Sequence, residues 1–290
     1  MHSKYHETVE KLRIWSQRED NIHGALILGS QAREEFKGDE WSDLDVLLLA
    51  ADPPLLLQND TWPDFLGEIV CAIIEETPLG WLDLAWSTKR VLFADNRAVD
   101  FSIMPYDRVD DVLALNAEIH AYGYTTIYDD CAMTSKIEAT LADVKSAPPK
   151  VPTQDELHQT VNDFLFQLMF ACKKIKRQEL WVAVRCINQH INNRLLELIE
   201  YHTASVATTS QSIRYEGRFL EQRVHPSVLE RLPHCFAKYD VADVIKTANY
   251  LLDTAQYLVK DICEENEYPF NECPFAQIRK LYAEMFENAL

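Results

Sequence analysis

The sequence predicts an α+β protein: an N-terminal domain built on a mixed β-sheet with flanking helices, then an all-α helical bundle. Three observations predict it. In the first half, short β-rich runs alternate with helical ones. After "SAPPKVPTQDE" (Ser146 to Glu156) the apolar periodicity is almost wholly helical. That stretch is itself a break: three prolines in five positions stop any helix. Thr153 and Glu156 then form a T-x-x-E capping box that starts a new one. The boundary is expected here, giving domains 1–147 and 148–290, and 290 residues suit two ordinary domains.

Taken in order, residues 5–18 read as an opening amphipathic helix. "HGALILGS" is a short strand ending in a Gly-Ser turn, and "DLDVLLLA" a second strand. "WPDFLGEIVCAIIEET" reads as a helix. "KRVLFADNRAVDFSIMP" holds two strands around the turn signal Asp95-Asn96. "GYTTIYDD" ends in the acid pair Asp129 and Asp130, read as a turn outside any strand. In the second half, Phe164, Leu168, Cys172 and Ile175 recur at three to four residues as a core-facing stripe. The helical segment from Asp155 to His202 is too long for one typical helix, so two are expected with a bend near Arg177. Residues 227–237, 240–265 and 274–289 read as further helices.

The bulk numbers exclude some functions. At 47% apolar and 26% charged, the chain has a globular composition. Its net charge of −18 is a poor match for nucleic acid and suits a cationic small molecule; acidity that only maintains solubility is the plainer reading. Seven cysteines, an odd number with no CxxC, argue against a zinc site or a disulfide framework and for reduced, buried thiols. No HExxH occurs, and His190 reads as an ordinary helix histidine. The charged N-terminus carries no apolar signal segment, and no window approaches the roughly 20 apolar residues of a membrane span. A cytoplasmic monomer is the expectation.

One feature of the first half resists a purely packing-based reading. In a strand, residues i and i+2 share a face, so Asp43 and Asp45 project together at the mouth of an aliphatic run. Two adjacent like charges are costly unless a cation sits between them. A hard divalent ion such as magnesium answers that need and also binds phosphates. A third carboxylate is then expected from a neighbouring strand, and "AVDFSIMP" offers Asp100 between Val99 and Phe101. A Gly29-Ser30 turn feeding a helix N-terminus would present N–H groups and a hydroxyl to phosphate oxygens. Three carboxylates can hold two metals about 4 Å apart for an in-line displacement. Each piece alone is common: a D-x-D is usually a solvated turn and a Gly-Ser usually a plain one. Their conjunction is the apparatus of phosphoryl or nucleotidyl transfer.

Gly-Ser, twelve intervening residues, D-x-D and a later strand Asp together resemble the signature of the nucleotidyltransferase superfamily. More narrowly, the chain resembles the aminoglycoside 6-adenylyltransferases, also called streptomycin adenylyltransferases. The likeness includes "LGS", "DLDVLLL", "VDFSIMP", "VPT", "NDFLFQLMFACKKIKRQEL" and "GRFLE", and so spans nearly all the chain. It implies a nucleotidyltransferase-type first domain and a helical second domain that binds substrate or nucleotide. The implied activity is transfer of AMP from ATP to a hydroxyl of streptomycin or a related cationic aminocyclitol. It further implies that Gly29 and Ser30 meet the triphosphate, that Asp43 and Asp45 bind magnesium, and that Asp100 is a metal ligand or the general base. Lys173 and Arg218 become candidate phosphate contacts. One departure is visible. The streptomycin enzymes usually carry Arg directly after Gly-Ser, whereas "GSQAR" places Gln31 there and moves the basic residue, the candidate nucleotide contact, to Arg33.

The remaining candidates have plainer readings beside the functional ones. Lys173 and Lys174 could be snorkelling surface lysines. Asp163 and Glu179 could pair with drug ammonium or guanidinium groups or be ordinary surface acids. Trp41 could stack on a base or pack at a rim. Two other functions stay open on the residues alone: the same chemistry on a lincosamide, an uncharged metabolite or a protein hydroxyl, and a nucleotide-binding relative without turnover. Acidity favours a cationic acceptor, and the presence of all three acids argues against a decayed site.

Overall fold

A computed structural model describes residues 1–33, 37–78, 85–110, 123–141, 150–206 and 217–286. The chain divides into two compact units, Met1–Ser146 and Ala147–Leu290.

The first unit is built on a six-stranded mixed sheet in the order β3-β4-β5-β2-β1-β6. Its strands are β1 (Ile22–Leu28), β2 (Leu44–Ala50), β3 (Ile69–Pro78), β4 (Ala85–Phe93), β5 (Ala98–Pro105) and β6 (Tyr124–Asp129). Only β2 and β5 run parallel; the other four pairings are antiparallel. The central strands β1 and β2 are nearly continuous aliphatic runs because both faces are covered. On one face Ile27, Val46, Leu48, Phe101 and Ile103 pack with Tyr5 and Leu12, at and within helix α1 (His6–Ser16). On the other, Leu26, Leu47, Leu49 and Met104 pack with Met133 and Ile137 of a later helix, Met133–Leu141.

A short helix α2 (Pro53–Leu57) follows β2. Its C-terminal carbonyls are satisfied by Lys89, a fully buried lysine of β4. The Lys89 ammonium donates to Asn59 O at 2.7 Å, Leu56 O and Leu57 O at 3.4 Å, and Asp60 Oδ1 at 3.0 Å. The helix expected over residues 62–77 is not formed. A 3-10 turn (Trp62–Leu66) ends at Gly67, and the β-branched run beginning at Ile69 becomes β3 instead. The helical spacing there is ambiguous, and pairing with β4 together with the strand preference of Ile69, Val70, Ile73 and Ile74 decides it. Asp129 also departs from expectation. It is the last residue of β6 and caps the next helix, α3 (Met133–Leu141), accepting from the amides of Cys131, Met133 and Thr134 at 2.8–3.2 Å.

The second unit is helical. Helix α4 (Gln154–Lys176) begins with the expected capping box, Thr153 and Glu156 bonding each other's amides. The buried stripe Phe164, Leu168, Cys172 and Ile175 joins one cluster with Leu251, Leu258 and Ile262. Gln178, left-handed at φ 63°, marks the bend before α5 (Leu180–Arg185). A π-turn (Cys186–Ile191) leads into α6 (Asn192–Val206). Helix α7 (Leu220–Arg223) is a single turn, and the helix expected over 227–237 is broken: α8 (Pro226–Leu229) is another single turn, and Pro233 lies in the 3-10 turn Leu232–His234. Helices α9 (Val241–Glu265) and α10 (Cys273–Phe286) match the periodicity. All seven cysteines are free, though Cys71 and Cys273 are exposed and Cys131 is only partly buried. Among the described residues, no helix is long and apolar enough to cross a membrane.

Candidate active site

The parallel pairing of β2 with β5 sets Asp45 directly beside Asp100. Asp43 lies one residue before β2, where the chain is already on course to enter the strand. One carboxylate oxygen from each of Asp43, Asp45 and Asp100 falls within a group spanning 4.8 Å, and all three side chains are partly buried. The neighbouring strand β1 brings Leu28 opposite Asp45, so Gly29 and Ser30 follow at the same end of the sheet.

Gly29 is required there. Its φ is +64°, and a Cβ at that position would lie 2.9 Å from Asp45 Oδ2. Ser30 is only 3% exposed, and its Oγ has no hydrogen-bond partner among the described residues. Such a group costs free energy unless something else bonds to it. The expected helix N-terminus after the Gly-Ser turn is a single 3-10 turn, Gly29–Gln31, and residues 34–36 lie outside the described residues. Gln31 is a structural residue: its side-chain oxygen accepts from the His2 amide at 2.9 Å and its nitrogen donates to Asp39 O at 3.4 Å. Arg33 is partly buried just beyond the turn, its amide bonded to Gly29 O at 3.1 Å.

Sequence reasoning missed two neighbours. Arg90 on β4 stands opposite Asp100 in the antiparallel register. Its Nε is 3.2 Å from Asp100 Oδ2 and 3.2 Å from Glu75 Oε2 on β3. Burial pushes the Asp100 carboxyl above the usual carboxylate range; the Arg90 guanidinium opposes that, while Asp43 and Glu75 add to it. A cation within a strand one pairing from an embedded acid is a usable signal, but only once the strand register is known.

The donor set fits a hard divalent cation. Carboxylate oxygens are the donors magnesium prefers, and three anionic groups this close repel one another until a cation lies among them. The Gly29 position leaves Asp45 free of steric crowding on that side.

Residues 2–285 match the family model described as streptomycin adenylyltransferase. The chain belongs to that family. It is 23% identical over 216 residues to the aminoglycoside 6-adenylyltransferase of Bacillus subtilis (strain 168), covering 74% of each chain. It is 20% identical over 219 residues to the Campylobacter jejuni protein of the same name, covering 75% of this chain and 74% of that one. A crystal structure of an aminoglycoside 6-adenyltransferase from Bacillus subtilis aligns over 96% of this chain and 98% of that chain, at 17% identity and a TM-score of 0.46.

In this member of the streptomycin adenylyltransferase family, the other residues singled out from the sequence lie in the second unit. Lys173 is exposed on α4. Its neighbour Lys174 pairs with Glu179 at 2.6 Å and lies 5.0 Å from the Phe170 ring centroid. Glu179 is further held by Arg177 at 2.5 Å; hydrogen bonds from Lys174 lead the causes that lower its carboxyl. Asp163 pairs with Arg194 at 2.7 Å. Arg218 is exposed beside Phe219, a left-handed residue at φ 63° whose ring lies against Arg218 and Arg223. In the first unit, Trp41 is 76% exposed, so it packs no rim.

Proposed function

We propose that this chain is an O-adenylyltransferase that moves AMP from ATP to a hydroxyl of a cationic aminoglycoside, streptomycin or a related aminocyclitol, and releases pyrophosphate. The observation that carries this reading is the convergence of Asp43, Asp45 and Asp100 beside the Gly29–Ser30 turn. Family membership and the aminoglycoside 6-adenylyltransferase relatives support the same reaction class.

In this reading Asp43 and Asp45, joined by Asp100, would hold magnesium. The bound ion would supply neutralisation of phosphate charge as negative charge builds on the departing pyrophosphate. The chain's own residues do the rest. The Ser30 hydroxyl donates to a phosphate oxygen, which answers its lack of a protein partner. Gly29 lets the nucleotide approach the backbone closely. Asp100 takes the proton from the acceptor hydroxyl, a role that its place beside Asp43 and Asp45 allows. The acceptor oxygen attacks the α-phosphorus, the bond to pyrophosphate breaks, and the proton rests on Asp100. The excess of 46 acidic over 28 basic side chains favours a cationic acceptor.

The test is magnesium-dependent pyrophosphate release from ATP with streptomycin, spectinomycin, kanamycin, lincomycin or no acceptor. Release with an aminoglycoside, falling to background in a folded Asp45→Asn variant, is the expected result. Release with lincomycin alone would move the acceptor class. ATP binding without release across the panel would overturn the reading.

A further inference from the structure

Four adjacent strands, β3, β4, β5 and β2, carry a line of charge into the acid cluster. Glu75 on β3 pairs in register with Thr88, two residues from Arg90, so Glu75 and Arg90 leave the sheet on one face. Arg90 on β4 is opposite Asp100 on β5, which is opposite Asp45 on β2. The order across the sheet is therefore Glu75, Arg90, Asp100, Asp45, with Arg90 Nε at 3.2 Å from both Glu75 Oε2 and Asp100 Oδ2.

We propose that Arg90, tethered by Glu75, is a positioning residue that fixes the carboxylate of Asp100 toward Asp43 and Asp45. The inference rests on the reading that these three acids form the reaction centre. An exposed ion pair between strands contributes little to stability and holds no geometry. This pair differs because its acid is enclosed: the Asp100 side chain is 17% exposed against 50% for Arg90 and 54% for Glu75. Arg90 is the cation beside Asp100, and it outweighs the repulsion from Glu75 behind it. Asp43 and Asp45 repel it from one side, and Arg90 attracts Oδ2 from the other. Without that hold, mutual repulsion turns Asp100 away from its neighbours whenever no cation lies among them. With it, Oδ2 is anchored at 3.2 Å from the arginine. Glu75 gives the arginine a second anionic partner at the same 3.2 Å distance, on the side away from the acid cluster.

The experiment separates positioning from mere packing by reading turnover and metal affinity against melting temperature, all of which a structural role would move together. Mn2+ binding to the nucleotide-free protein is titrated by electron paramagnetic resonance, and kcat and KM for ATP are measured with the best acceptor, for wild type, Arg90→Met, Arg90→Lys and Glu75→Gln. Arg90→Met should lower kcat about 10- to 100-fold, the cost of a displaced reacting group, with KM for ATP changed less than about threefold. The same variant should bind Mn2+ about threefold more weakly or worse at an unchanged melting temperature, because Asp100 is no longer held toward Asp43 and Asp45. Arg90→Lys should recover part of kcat, and Glu75→Gln should lower it by a smaller factor. Retention of kcat within about twofold in Arg90→Met would overturn the proposal. So would a joint fall of kcat, Mn2+ affinity and melting temperature, which marks a structural residue. Should Arg90→Met fail to fold, Arg90→Lys and Glu75→Gln are read by the same split. If wild type turns over no acceptor, the proposed reaction fails but the Mn2+ titration still decides: unchanged affinity in Arg90→Met removes Arg90 from the acid cluster.

Discussion

Gly29 and Ser30 show how much one atom matters at the mouth of β1. Gly29→Ala places a Cβ 2.9 Å from Asp45 Oδ2 on a backbone at φ +64°. The conformational cost alone is about 1–2 kcal/mol, and Asp45 must move as well. Thermal unfolding should show that loss, and adenylyl transfer should fall with it. Ser30→Ala should behave in the opposite way. Its hydroxyl is buried without a protein partner, so removing it leaves the melting temperature unchanged or higher. If the hydroxyl meets phosphate, KM for ATP rises in the same variant. A lower melting temperature with unchanged KM would show that Ser30 serves only the fold. At this scale much is legible in the sequence. An aspartate inside an aliphatic strand contradicts burial, so Asp45 and Asp100 stand out from the amino-acid pattern alone. Arg90 does not, because an arginine in a strand reads as solvent-facing until its cross-strand neighbour is known. Gln31 does not stand out from the pattern either, and the fold gives it a structural duty, accepting from the His2 amide.

Among elements, α2 depends on a lysine far from it in sequence. Lys89→Met fills similar space but orphans the carbonyls of Leu56, Leu57 and Asn59, so unfolding in urea should show a loss of about 1–3 kcal/mol. Helices α6 and α9 meet at His202, which is buried with Nε2 at 3.2 Å from Asp261 Oδ2 while Nδ1 lacks a partner among the described residues. Burial holds this imidazole below the usual histidine range, and the pairing with Asp261 offsets only part of that. The unfolded chain therefore binds the proton more tightly than the folded one. Stability is full above the unfolded value of about 6.5 and declines as pH falls through it. Melting temperatures at pH 7.5 and 5.5 should differ in wild type and converge in His202→Gln; equal slopes would assign the acid sensitivity elsewhere. The element misread from sequence, β3, fails for a definite reason. "EIVCAIIEE" satisfies a helical period and a strand period about equally, and only the partner strand β4 breaks the tie. Pro233 punctuates the segment over 227–237 in plain view, yet its consequence depends on how little apolar surface each remaining turn buries.

For the whole molecule, the proline-rich break foretells a change of texture because prolines act locally, whereas the order of strands in the sheet is set by distant pairings no local pattern encodes. That order has a consequence for assembly. Strands β1 and β2 are near neighbours in sequence and pair antiparallel, and β3, β4 and β5 form a meander of consecutive strands. Each group closes short loops. The parallel contact of β2 with β5 joins residues more than fifty positions apart, and that of β1 with β6 about a hundred, so these two pairings carry the larger closure entropies. Pulse-labelled hydrogen exchange during refolding should therefore protect amides within each antiparallel group before those bridging β2 and β5; simultaneous protection would show a single concerted step. Asp45 belongs to one group and Asp100 to the other, so the acids are born apart and meet only when the seam closes. A half-built chain, on a ribosome or after partial unfolding, holds neither the mutual repulsion of the finished cluster nor its appetite for metal.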